Sequence, residues 1–144
     1  SSSHLVSLPP RLHLKDGCSS NLRARKELEA LAARSLTYTL HQAHTAEELS
    51  AEEMFFLSEA YKSQVVSVIS TAHLVDVVMT CPSVRLKPSG RDTGFTAAYQ
   101  FHPLKALHYS RDHVISTAKG MVLGRPQCPQ RQREVEVLRF CLAK

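Results

Sequence analysis

The chain has 144 residues, 43% of them hydrophobic and 22% charged, with a formal net charge of +5. That is the length of one ordinary domain and the composition of a folded protein, so an intrinsically disordered chain is excluded. Tryptophan is absent and aromatic residues are few, which predicts a core of Leu, Val and Ala.

The first residues, "SSSHLVSLPPRLHL", contain two adjacent prolines and read as extended, with an Asp16-Gly17 turn behind them. Residues 1–19 are therefore expected to be an N-terminal segment that packs on a single helix-rich domain formed by 20–144. The sequence starts without methionine and has no basic-then-apolar leader pattern, so it reads as a piece excised from a larger protein.

Residues 20–44 alternate Ala and Leu with charged residues and predict a long helix. Ser20 or Asn21 would serve as its N-cap, and Leu28, Ala32, Leu36, Leu40 and Ala43 as its buried face. From Ser50 to about Thr80 the residues Leu57, Tyr61, Val65, Val68, Ala72, Val75 and Met79 recur at steps of three and four. That spacing predicts one continuous helix, started by a capping box of Ser50 and Glu53, with Thr45 and Glu48 as a second possible box. Glutamates at 47, 48, 52 and 53 suit the positive end of its dipole, and Pro82 follows its end. A membrane span is excluded here, because a span needs about 20 mostly apolar residues. Only thirteen residues separate Lys62 from Asp76, and several of them are polar. The two helices, joined by a short connection, are expected to pair as an antiparallel hairpin.

Beyond residue 82 the period changes to two. Val84 and Leu86 alternate with Arg85 and Lys87, and Phe95, Ala97, Tyr99 and Phe101 alternate with smaller or polar residues around the loop "PSGRDTG". This is the pattern of a β-hairpin. Residues 103–120 read as a further helix between Pro103 and Gly120, with Ser110 as a potential break. Residues 125–133 read as a loop, and 134–144 as a closing strand favoured by Val135, Val137 and Phe140 over a short helix. The fold class is thus α+β and helix-rich: two long antiparallel helices, a small hairpin or sheet and a further helix. An all-α bundle is the alternative.

No motif assigns an activity. Eight histidines are present, among them His41 and His44 at helical spacing and His102, His108 and His113 in the last third. None falls in a metal-ligand pattern, so no metal and no cofactor are expected. The cysteines at 18, 81, 128 and 141 form no CxxC pair and read as thiols of a reducing compartment, nucleus or cytoplasm. A cysteine–histidine nucleophile pair is conceivable, for example Cys81 with any of these histidines, but the place of Cys81 behind an apolar helix favours a buried thiol.

Charge is uneven along the chain: one basic and six acidic residues lie between 35 and 83, eleven basic and four acidic between 84 and 144. The sequence-based expectation is a non-enzymatic interaction domain, a scaffold or adaptor of an intracellular protein. It would bind a protein segment, or a second copy of itself, through the apolar flank of the helical hairpin. Phe55, Phe56, Val66 and Ile69 are the residues expected to make that contact. The alternative is nucleic-acid binding through Arg85, Lys87, Arg91, Arg131 and Arg133. Neither membrane association nor a small-molecule substrate is expected.

Overall fold

A computed structural model describes residues 21–41, 49–88 and 95–143. The expectations for 1–20, for the Thr45–Glu48 box and for the loop around Arg91 lie outside the described residues. The protein is α+β. Its described residues fall into two compact units, one of 26–103 and one that includes 104–143.

The first helix, α1 (Leu22–Ser35), starts where Asn21 Oδ1 accepts the backbone N–H groups of Arg23 and Ala24 at 3.0 and 3.4 Å. Such a cap satisfies two of the donors that a helix start leaves without partners. Leu28, Leu31 and Ala32 are buried. The helix ends at Ser35, earlier than its Ala/Leu pattern predicts, because "TYTL" forms a strand instead, β1 (Thr37–Leu40). β-Branched and aromatic residues favour an extended backbone once a partner strand is available.

The stretch from Ser50 to Thr80 is helical but is not one rod. It is split into α2 (Ala51–Phe56), α3 (Glu59–Val68) and α4 (Thr71–Thr80). Each piece begins on a serine. Ser50 and Glu53 form the predicted capping box, with bonds of 3.2 and 2.8 Å. Ser58 Oγ accepts Tyr61 N–H at 3.1 Å, and Ser70 Oγ accepts His73 N–H at 3.3 Å. Ser58 and Ser70, which one continuous helix would carry in its interior, are therefore helix starts. The breaks also rotate the buried ridge: Val66, Leu74, Val75 and Val78 are buried, while Val68 is 79% exposed. Lys62 is buried too. Its ammonium donates to Ala33 O at 3.3 Å, in the last turn of α1, and pairs with Glu59 at 2.7 Å. A cation there suits the negative end of the helix dipole.

Helix α4 passes straight into β2 (Pro82–Pro88) through Cys81, which has a left-handed backbone (φ 45, ψ 64). The Cys81 N–H donates to Val77 O at 2.9 Å and its thiol to Val78 O at 3.2 Å. β2 is the centre of a three-stranded sheet. It pairs in parallel with β1, Tyr38 opposite Val84, and antiparallel with β3 (Phe95–Phe101), Val84 opposite Tyr99. The predicted hairpin is thus present. Pro82, Val84 and Leu86 point inward while Arg85 and Lys87 are exposed. Leu36, Val84 and Leu86 form a buried cluster with Tyr38, Leu57, Val77 and Phe95 packed against it.

The second unit departs most from expectation. Residues 103–120 are not one helix. A 3₁₀ segment (Leu107–His113), kinked at Tyr109, leads into a two-stranded hairpin of β4 (Val114–Thr117) and β5 (Gly120–Leu123). Gly120 adopts φ 134, which its lack of a Cβ permits. Residues 129–142 form helix α5 (Pro129–Leu142) rather than a loop and a strand. Pro129 opens it, a position where a missing N–H costs nothing. Glu134, Val135, Val137 and Phe140 are its buried residues.

Candidate functional site

Four charged or titratable side chains meet where the 3₁₀ segment lies against α5. Glu134 is 1% exposed and His113 is 2% exposed. His113 Nε2 lies 3.1 Å from Glu134 Oε2, and the Ala106 N–H donates to Glu134 Oε1 at 3.0 Å. Burying a carboxylate is costly unless hydrogen bonds replace its water, and these two bonds do so. Above the buried pair, Arg131 Nη2 donates to Asp112 Oδ2 at 3.3 Å. Asp112 is the open member, 62% exposed at its side chain, against 36% for Arg131. Arg131 Nε is buried without a hydrogen-bond partner and lies 3.8 Å from Glu134 Oε2.

The tautomer of His113 follows from its neighbours. Arg131 Nη2 is also 3.4 Å from His113 Nε2, but a guanidinium only donates. One ring nitrogen cannot both give a proton to Glu134 and accept one from Arg131. With a carboxylate 3.1 Å away, Nε2 carries the proton and donates to Glu134, which leaves Arg131 turned to Asp112. The backbone is fixed as well: the Gly124 N–H donates to His113 O at 2.7 Å.

The residues expected to contact a partner lie in the 26–103 unit. Phe55 is 47% exposed, Phe56 and Ile69 are half-buried and Val66 is buried. Phe55, Phe56 and Tyr61 form an aromatic group with ring centroids 5.0 to 6.2 Å apart. Of the basic residues proposed for nucleic acid, Arg85, Lys87 and Arg133 are exposed, Arg131 is held by Asp112, and Arg91 lies outside the described residues. Cys81 is buried, as its position behind a helix predicts, while Cys128 is exposed at the start of α5; neither is disulfide-bonded. No group of three or more potential metal ligands occurs among the described residues. None of their helices is long and apolar enough to cross a membrane.

Sequence reasoning did not single out Asp112, His113 and Glu134 as a group, and it gave Arg131 a different role. The signal was the i, i+3 pair Arg131 and Glu134, legible only if 129–142 is read as a helix.

The fold and this cluster define an α+β protein that presents a carboxylate and a guanidinium on top of a buried histidine–glutamate pair. The sequence profile of the family described as Arginine deiminase matches residues 12–144, and the chain belongs to that family. No curated protein and no solved structure matches the chain. The family match corrects the reading of a non-enzymatic scaffold or adaptor, because the family is one of enzymes. It also overturns the expectation that no small molecule is bound. The nucleic-acid alternative has no support from it, and neither does a nuclear location.

Proposed function

We propose that the chain serves a hydrolase-type enzyme acting on the guanidinium group of arginine, and that Asp112 and Arg131 hold this substrate. The family name specifies removal of an imino nitrogen: water enters at the guanidinium carbon and ammonium leaves. Free arginine carries a planar cation at one end and a carboxylate at the other. A carboxylate recognises the first and a guanidinium the second, both by short charge-assisted hydrogen bonds. The observation that carries the reading is the surface pair Asp112–Arg131, 3.3 Å apart, whose two charges are the mirror image of the substrate's. On binding, the substrate guanidinium takes the place of Arg131 at Asp112. The released Arg131 turns to the substrate carboxylate, so no charge is left unpaired.

Cys81 is not the nucleophile in this reading, since its thiol is buried and bonded to Val78 O. The thiols at 81, 128 and 141 support a reducing, intracellular setting for the enzyme.

Calorimetric titration of the full chain with L-arginine and with agmatine, which lacks the carboxylate, tests the proposal. Asp112→Asn is expected to weaken both ligands by about tenfold or more, the size of a lost charge-assisted bond. Arg131→Met is expected to weaken arginine and spare agmatine. Absence of arginine binding to the wild-type chain at millimolar concentration overturns the reading.

A further inference from the structure

We infer that Glu134 is a positioning residue for this site: it braces the 3₁₀ segment at both ends and so fixes Asp112 against Arg131. The inference rests on the substrate-binding reading above.

A 3₁₀ helix supports itself poorly, because its hydrogen bonds are strained and its side chains eclipse. This one is interrupted as well, at Tyr109 (φ −94, ψ 36). Its rigidity has to come from outside. Glu134 supplies it through two different oxygens. Oε1 accepts from Ala106, the residue before the segment, at 3.0 Å. Oε2 accepts from His113, the last residue of the segment, at 3.1 Å. One buried carboxylate thus clasps both ends of the turn, and Asp112 sits one residue from the second clasp.

The same helix carries Asp112's partner. Arg131 precedes Glu134 by three residues on α5, so brace and partner move as one body. By drawing the Nε2 proton of His113, Glu134 also denies Arg131 that nitrogen, 3.4 Å away, as an acceptor and leaves Asp112 as its mate. The buried pair therefore sets both the height of Asp112 and the direction of Arg131, without touching the substrate.

A glutamate that only filled space would affect stability and leave the affinity of the folded protein unchanged. The test compares wild type, Glu134→Ala, Glu134→Gln and His113→Leu, each titrated with L-arginine at a temperature where circular dichroism reports it folded. Glu134→Ala is expected to bind about tenfold or more weakly, the scale on which a small misplacement acts. Glu134→Gln, whose amide still accepts from Ala106 and donates to the other tautomer of His113, recovers most of that loss. His113→Leu releases one clasp only and falls between them, which keeps the test open if the alanine variant does not fold. Amide exchange at Ala106 and Asp112 should quicken in the alanine variant and not in the glutamine variant. Wild-type affinity in folded Glu134→Ala or His113→Leu overturns the inference, as does unchanged exchange at Ala106 in Glu134→Ala. If the wild-type chain itself does not bind arginine, the substrate reading fails, and the brace is then decided by the exchange data alone.

Discussion

Tyr38 shows how one side chain can be tied to pH by its surroundings. It lies half-buried on β1, beside the Leu36–Val84–Leu86 cluster. Burial, and then the phenols of Tyr61 and Tyr99, hold its pKa above the ordinary value of 10.0. The fold favours the neutral phenol, so this contribution is complete below the ordinary tyrosine pKa and is lost as pH rises through the raised one. Tyr38→Phe removes the titration. The gap between wild-type and variant urea midpoints is expected to shift in favour of the variant between pH 8 and pH 11. A gap that stays constant over that range would show that the phenol is equally at home in both states. Residues of this kind were partly legible beforehand. Ser50 with Glu53, Asn21, Pro82 and the inward Val84 and Leu86 all announce themselves by local chemistry. The meeting of Asp112, His113, Arg131 and Glu134 does not, because it joins positions about twenty residues apart through a 3₁₀ turn that no periodicity marks.

Among the elements, serines mark where the three helices between 50 and 80 begin. The hydrophobic stripe at steps of three and four between 50 and 80 crosses two helix breaks and does not stay buried across them: Val68 and Ala72 are exposed, while Leu74 and Val78, off the stripe, are buried. The stripe therefore predicts helix correctly and length wrongly. Ser70→Ala removes the bond to His73 N–H and is expected to cost about 1 kcal/mol, the usual worth of an N-cap. Chemical denaturation reads this directly, and a loss below a few tenths would mean that the break at Ile69 is set by packing alone. Elsewhere β-branched residues misdirect in both senses. "TYTL" looks like the tail of a helix and is a strand, since β2 offers it a parallel partner. Val135 and Val137 look like strand residues and lie in α5, where Pro129 gives a start and burial outweighs their modest helix cost.

For the molecule as a whole, the division into two units has an experimental signature. Each has its own buried side chains: Leu28, Leu74 and Val78 in 26–103, and Val135, Val137 and Phe140 in the unit that includes 104–143. Val137→Ala should cost roughly 2 kcal/mol within its own unit. It is expected to quicken amide exchange along α5 while leaving the labelling rate of the buried Cys81 thiol unchanged. Equal acceleration of both would mean that the chain opens as one cooperative body. The α+β class was legible from the change of period at residue 82, but an activity was not. No residue between 50 and 101, where the hydrophobic signal is strongest, belongs to the cluster of Asp112, His113, Arg131 and Glu134.

The junction at Cys81 gears a helix directly to the central strand, with no slack between them. A strand's two faces alternate at every step, so one residue inserted there would turn β2 over. Arg85 and Lys87 would face the apolar interior and Val84 and Leu86 would face water, on a strand hydrogen-bonded along both its edges. Natural variation in length should therefore be absent at this point, however freely the sequence drifts on either side.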